Sequence, residues 1–330
     1  MFSNEQKINK LEKVLREKTA TSDVQSYERL RLGKQLDKQE NSYQLIQARF
    51  TLKKDVVLPV STQNQIDEAL AKIHYHKVMY VDWNFSSVDP MGKGVSLLFY
   101  GAAGTGKTLT AEALAGTLGK NFLSLGLSEV ESKFLGETAK NITKAFAEAT
   151  RNDAVLFFDE ADTLLGKRLS NVTQGIDNEV NSMRSTMLME LEKFEGIAIF
   201  ATNFESNIDR AFENRLSHKI KFELPDVPVR KILWDKFLLS SIPIAVGENR
   251  DDIILRAVDC SDGFSGRSIR NCLRLALPKA IINGQKTGTE PVLKWQHIEE
   301  AIDLAKKGTQ DIGKSLSKAD SAAWDMLGVK

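Results

Sequence analysis

The sequence predicts an α/β protein: a parallel sheet sandwiched by helices, followed by a small C-terminal helical lid and preceded by a helical N-terminal extension. Three observations carry this. Five short apolar runs, VSLLFYG, NFLSLGL, AVLFFDE, IAIFATN and HKIKFELP, alternate with helix-patterned segments from Val95 onward, as strands do when helices cover both faces of their sheet. After Pro225 the strands stop, and helical segments follow around Val227 to Leu239, Arg250 to Val258, Ser265 to Ile282 and Trp295 to Ala305. The N-terminal stretch is rich in Lys, Glu and Gln, with Ile8, Leu11 and Leu15 at helical spacing.

These changes of texture divide the chain into a helical or coiled-coil extension over 1–55, a linker over 56–93, a large α/β subdomain over 94–225, a helical lid over 226–307 and a loose tail over 308–330. Pro59 and the polar run Ser61–Gln65 mark the linker, and a second helical pattern through Ile66, Leu70 and Ile73 leads on to Trp83-Asn84-Phe85. In the tail, Trp324 and Leu327 suggest a docking contact. With 330 residues, a net charge of +1 and 42% hydrophobic content, the chain can bury a real core. Balanced charge argues against a strongly basic nucleic-acid binder.

No run approaches the roughly 18 apolar residues of a spanning helix, and MFSNEQKINKLEKVLREK is charged where a signal peptide is apolar. A cytosolic protein without membrane spans is therefore expected. Cys260 and Cys272 have no metal-ligand or redox spacing and read as buried small hydrophobes. His74 and His76 form an H-x-H pair with no third ligand pattern nearby, and no H-E-x-x-H occurs.

The strongest local signal is Gly101-Ala102-Ala103-Gly104-Thr105-Gly106-Lys107-Thr108. It matches G-x-x-x-x-G-K-[ST] and lies between the strand-like VSLLFYG and a helical segment opening at Leu109. In that strand-loop-helix setting the sheet is expected to be of the P-loop NTPase type. Glycines let successive N–H groups face phosphates, and the helix N-terminus adds its positive dipole end. Lys107 is then expected to reach the β- and γ-phosphates of ATP, and the Thr108 hydroxyl to ligate Mg²⁺, with Leu109 ending the run of expected cofactor-binding residues.

About fifty residues on, AVLFFDE ends a buried strand in Asp159 and Glu160. Unpaired buried carboxylates are costly, so an acidic pair there implies a cation or a catalytic task; the other reading is a helix N-cap. Asp159 fits the Mg²⁺ side and Glu160 the residue that activates the attacking water. IAIFATN ends in Asn203, whose amide would hold that water in line from a neighbouring strand tip, or would simply open a turn.

In the order GAAGTGKT, SKFLGETAKN, LFFDEADTLLGKR, ATNFESNIDRAFENRLSHKIKFELPD and GFSGRSIRN, the chain resembles the AAA family of the AAA+ ATPases from Pro59 to Lys307. The resemblance implies a homo-oligomer, a hexameric ring, that threads or remodels protein substrates, with or without an adaptor. Lys133, Phe134, Leu135 and Gly136 match the family's first pore loop, which makes Phe134 the candidate substrate contact; the polar stretch Lys167 to Asp177 corresponds to the second. Arg215, in Phe-Glu-Asn-Arg-Leu, aligns with the arginine inserted into the neighbouring subunit's ATP site; Asn214 stands where many members carry another arginine. Arg267 lies where the lid would face the nucleotide, as a phosphate sensor or as a plain helix-surface arginine. Ala102 and Ala103 replace the usual pair of prolines.

Within the family, IDRAFENR and SGRSIR are similar to remodellers of HORMA-domain proteins, whose bacterial relatives accompany antiphage systems. SKFLGETAKN and LFFDEADTLLGKR look like the general bacterial members. Two other readings stand beside a protein remodeller. A nucleic-acid-linked ATPase, such as a loader or transposition helper, would carry basic residues in its central loop. A nucleotide-gated scaffold would not need Glu160 and Arg215. The aromatic-aliphatic pair Phe134-Leu135 favours peptide over phosphate, so a nucleic-acid partner is not expected.

Overall fold

The computed structural model describes residues 44–89, 94–126, 137–166, 175–204 and 208–307. The strands are β1 (Gln44–Gln47), β2 (Val95–Gly101), β3 (Asn121–Gly126), β4 (Ala154–Asp159), β5 (Ile197–Thr202) and β6 (His218–Phe222). They form one sheet in the order β1-β3-β4-β5-β2-β6. From β3 to β6 every pairing is parallel, with Phe158 opposite Phe200 and Tyr100 opposite Thr202. Three loops therefore leave the same edge side by side: the one after β2, the one after β5 and the one after β4. The five strand predictions match β2 to β6 because a strand covered on both faces reads as a continuous apolar run.

Two layers of helix bury those faces. Leu97, Phe99, Val155, Phe157, Ile199, Ile220 and Phe222 pack with α2 (Val60–His74) and α3 (Lys107–Thr117) into one cluster. On the other face, α4 (Glu137–Arg151) lies over β4 and packs against α6 (Gly175–Lys193). There Phe158 stacks on Phe200 with ring centroids 5.0 Å apart, and Phe146 packs against Phe158, tilted, at 6.0 Å. Two short helices, α5 (Asp162–Leu165) before α6 and α7 (Arg210–Glu213) after β5, lie side by side, with the Asp209 amide donating to the Leu165 carbonyl at 2.7 Å.

The lid consists of α8 (Val227–Phe237), α9 (Arg250–Cys260), α10 (Gly266–Thr287) and a helix over 295–307, α11. It has its own core around Trp234, Ile254, Ile269, Leu273 and Ile302, and the buried Trp234 indole donates to Ser261 Oγ at 2.9 Å. Cys272 is buried in this core and Cys260 packs against it.

The segment before β2 departs from its predicted character. Residues 44–47, assigned by the sequence to the helical extension, are an edge strand beside β3. The following stretch, with the single turn α1 (Leu52–Asp55), lies along α3 as a strap. Arg49 grips Glu112 of α3 through Nε and Nη2 at 2.9 and 3.1 Å, and the Leu52 amide donates to Thr117 Oγ1 at 2.9 Å. At Gly116 an added Cβ would strike the Phe50 carbonyl oxygen, so the strap needs a glycine there. Further on, the strap meets the lid, where Lys236 Nζ donates to the Asp55 carbonyl at 2.8 Å and Val57 packs on the lid core.

The linker also proves to be core. Helix α2 buries Ile66 and Ala69 completely, and the buried Thr62 hydroxyl donates to the Lys221 carbonyl of β6 at 2.8 Å. His74 Nδ1 lies 3.0 Å from the Leu70 carbonyl and His76 stacks on Tyr80 at 4.4 Å. Among the described residues no group of three or more metal-ligating side chains converges, and no helix is long and apolar enough to cross a membrane. The expected helix around Ile8, Leu11 and Leu15 and the tail from 308 lie outside the described residues.

Candidate nucleotide site

The loop Gly101–Thr108 joins β2 to α3, and its glycines Gly101, Gly104 and Gly106 all have positive φ. Lys107, at the start of α3, is only 8% exposed, and its ammonium turns back into the loop. It donates to the carbonyls of Gly101 at 2.7 Å and Ala102 at 3.1 Å, and to Asn203 Oδ1 at 2.9 Å. Burial lowers its pKa, opposed by the nearby carboxylates of Asp159 and Asp162 and reinforced by the positive charge of Arg267. Asn203 is thus more than a turn opener: it reaches from the β5 tip to the loop lysine.

Asp159 ends β4. Its Oδ2 accepts from the Thr108 hydroxyl at 3.0 Å and its Oδ1 from the Glu160 amide at 3.0 Å. A hydroxyl and a carboxylate side by side are the hard oxygen ligands that Mg²⁺ prefers, so these two residues fit the metal. Glu160 is exposed and has φ +53°, a left-handed conformation that is unfavourable for a residue with a long side chain. Neither carboxylate caps the next helix, since the N-cap of α5 is Ala161, with no side-chain cap. The N-cap alternative therefore falls.

One carboxylate had not been singled out in the sequence. Asp162 accepts from the Thr202 hydroxyl, the Phe204 amide donates to the same hydroxyl at 3.0 Å, and the Ala161 amide donates to the Ala201 carbonyl at 2.8 Å. Together these bonds lace the tip of β4 to the tip of β5, which sets Asn203 relative to Glu160. The third acidic residue of LFFDEAD was the available signal.

The lid closes the site. The Arg267 amide donates to the Gly104 carbonyl at 3.2 Å, and a Cβ on Gly104 would lie 2.7 Å from both Arg267 Cβ and Ser265 Oγ. Between loop, lid and strap lies a cavity of ≈ 550 Å³, the size of a small-molecule site. Its polar end holds the loop, Asp159, Glu160 and Asn203; Phe50, Val57, Leu58, Leu233 and Phe237 supply apolar wall. Both Arg267 and Arg270 line it. Arg270 was missed, although it follows Arg267 by three residues and so shares its helix face. The strap residues were missed because their role depends on packing far from the motif.

Arg215 is not part of this cavity. Its carbonyl accepts from the Ser96 hydroxyl near the start of β2, whereas the phosphate loop begins at the other end of that strand. Five residues of strand separate them, about 16 Å, farther than an arginine side chain reaches. Its guanidinium is held by Glu192 of α6. Lys133, Phe134, Leu135 and Gly136, and residues 167–174 of the expected second pore loop, lie outside the described residues.

A glycine-rich loop between strand and helix, with acidic and amide side chains at adjoining strand tips under a helical lid, defines a P-loop nucleotide-binding fold. Residues 97–224 match the model of the ATPase family associated with various cellular activities (AAA), so this segment is an AAA domain. It is 35% identical over 187 residues to the 26S proteasome subunit RPT4 of Saccharomyces cerevisiae, covering 54% of this chain and 41% of that protein. To the proteasome-associated ATPase of Kribbella flavida it is 32% identical over 276 residues, 74% of this chain and 46% of the relative. The chain thus spans less than half the length of either. Its fold is that of the FIGL-1 AAA domain solved in complex with ADP, with a TM-score of 0.60 over 86% of this chain and 92% of that one at 19% identity.

Proposed function

We propose that this chain hydrolyses ATP as a ring of identical copies and uses the cycle to remodel protein substrates. The observation that carries the reading is the division of its chemistry. Lys107, Thr108, Asp159, Glu160 and Asn203 converge in one cavity, while Arg215 lies a strand length away, beyond reach of this chain's own phosphate loop, which supports giving it to the nucleotide of another copy.

In this reading the loop amides and Lys107 bind the phosphates, which replace the carbonyls and Asn203 as partners of the ammonium. Thr108 and Asp159 would hold Mg²⁺, which when bound withdraws charge from the phosphoryl group being transferred. Glu160 takes the proton of the attacking water and Asn203 keeps that water in line. Arg267 adds positive charge from the lid. Arg215 of the adjoining copy stabilises charge that develops on the transferred group. Phe134 would carry the motion to a peptide.

The protein client, the six-membered ring and any adaptor rest on the family resemblance. A HORMA-type partner and an antiphage role rest on the IDRAFENR and SGRSIR motifs alone. The test compares ATP turnover of wild type and Phe134→Ala, each with and without a folded protein client and with and without DNA. The reading expects client-stimulated turnover in wild type, and in Phe134→Ala basal turnover without client processing. Stimulation by DNA alone would transfer the chain to the nucleic-acid-linked class, and negligible turnover of assembled wild type would make it a nucleotide-gated scaffold.

A further inference from the structure

We infer that Glu192 is a positioning residue for Arg215, holding its guanidinium so that the outer pair of N–H groups is ready for the phosphate of the adjoining copy. The inference rests on the reading of Arg215 as acting between copies. It adds a residue that the sequence motifs do not mark.

Glu192 stands in the last turn of α6, remote in sequence from the loop that carries Arg215. Its Oε1 accepts from Arg215 Nε at 2.8 Å and from Nη2, and Nη1 donates to the Ala211 carbonyl at 2.8 Å. A guanidinium has five N–H donors. Among the described residues three are engaged, which leaves two, one on each terminal nitrogen. A planar, side-by-side pair of donors is the edge that matches two oxygens of a phosphate. The backbone is fixed as well: the Arg215 carbonyl accepts from Ser96 Oγ and its amide donates to the Phe212 carbonyl at 2.9 Å.

Exposure agrees with this. The Arg215 and Glu192 side chains retain 32% and 29% of their accessible surface, enough for one edge of the arginine to meet another molecule while the other is held. An arginine loose in solvent would have to be ordered at every encounter, at a cost in side-chain entropy. Held by a charge-assisted bond to a helix that packs on the sheet domain, it is already ordered.

The test uses the full chain under assembling conditions: kcat and KM for ATP, equilibrium nucleotide binding and thermal melting for wild type, Glu192→Ala, Glu192→Gln, Arg215→Ala and the Glu192→Ala/Arg215→Ala double variant. Glu192→Ala is expected to lower kcat roughly 10- to 10²-fold with KM and binding unchanged. Glu192→Gln, which keeps the shape and one acceptor oxygen, recovers part of the loss. On the Arg215→Ala background, Glu192→Ala changes nothing further. The inference is overturned if Arg215→Ala abolishes turnover while Glu192→Ala spares it, or if Glu192→Ala costs as much without Arg215 as with it. Unchanged turnover in Arg215→Ala itself is a different result, because it removes the reading between copies. Should Glu192→Ala melt early, Glu192→Gln decides: reduced kcat at wild-type melting supports the inference, and wild-type kcat overturns it.

Discussion

The Lys107 ammonium and the Asn203 side-chain oxygen lie 2.9 Å apart, which ties the tip of β5 to the phosphate loop. In the proposed reaction Lys107 turns to the phosphates and the asparagine amide faces the reacting centre. Asn203→Ala is therefore expected to retain ATP binding, since Lys107 keeps its loop carbonyls, and to lose roughly 10²-fold in turnover, the scale of a removed transition-state donor. Nucleotide titration beside steady-state rates checks this. An equal loss in binding would make Asn203 a support for Lys107 instead.

Gly104 carries φ +79° and faces the lid with no room for a methyl group. Gly104→Ala must strain the loop and push Ser265 and Arg267 away. The expected result is a stability loss of about 1–3 kcal/mol, the usual scale for overpacking, together with weaker ATP binding. Denaturant unfolding and nucleotide titration measure the two effects, and wild-type values in both would show that the lid does not rest on the loop in solution.

Hydrogen bonding from the Arg49 side chain, more than charge attraction, holds the Glu112 carboxyl below its ordinary pKa in the folded chain. A depressed folded value favours the fold wherever the unfolded carboxyl would be ionised. The contribution is whole above about pH 4.3 and is lost as pH falls through the folded value. Arg49→Ala should lower the melting temperature at neutral pH by leaving a buried carboxylate unpaired, and should flatten the acid side of the profile. An unchanged acid limb would dissociate the strap from Glu112.

His297 in the lid is 2% exposed, with Nδ1 accepting from the Lys294 amide at 3.2 Å and Nε2 2.8 Å from the Asn283 amide nitrogen. Burial, the largest cause, lowers its pKa. Unfolding lets the ring take up a proton that the fold refuses, so this stability is complete above about pH 6.5 and declines as pH drops from there toward the depressed folded value. His297→Gln should lower the neutral melting temperature and reduce its slope between about pH 7 and 5. The half-buried His218 has a pKa lowered first by the same cause and contributes a slope that survives the substitution.

The features legible in the sequence are those fixed by short-range rules. Strands β2 to β6 announce themselves as apolar runs; Lys107 and Thr108 open the helix after β2, and Asp159, Glu160 and Asn203 sit at strand tips that a parallel sheet brings beside it. Arg215 was marked only by resemblance, because its distance from its own phosphate loop depends on strand direction rather than on sequence spacing. The strap was illegible for another reason. Gln44–Gln47 reads QLIQ, with no strand propensity beyond Leu45 and Ile46, and becomes a strand by pairing with β3. Likewise α2 looks like a linker until β6 is present to bury Ile66 and Ala69.

The strap also determines how the protein can be cut. The AAA model begins at residue 97 and the family resemblance at Pro59, and either would suggest a tidy catalytic fragment to express. A chain begun at Pro59 would lack the edge strand, the arginine that neutralises Glu112 and the Phe50, Val57 and Leu58 wall of the cavity. Such a fragment would expose β3 as a raw sheet edge, open to strand-to-strand aggregation. Poor solubility or silent activity in that fragment would then report a misplaced boundary and say nothing about the enzyme, whereas a fragment starting ahead of Gln44 keeps the edge strand, Arg49 and the strap side of the cavity together.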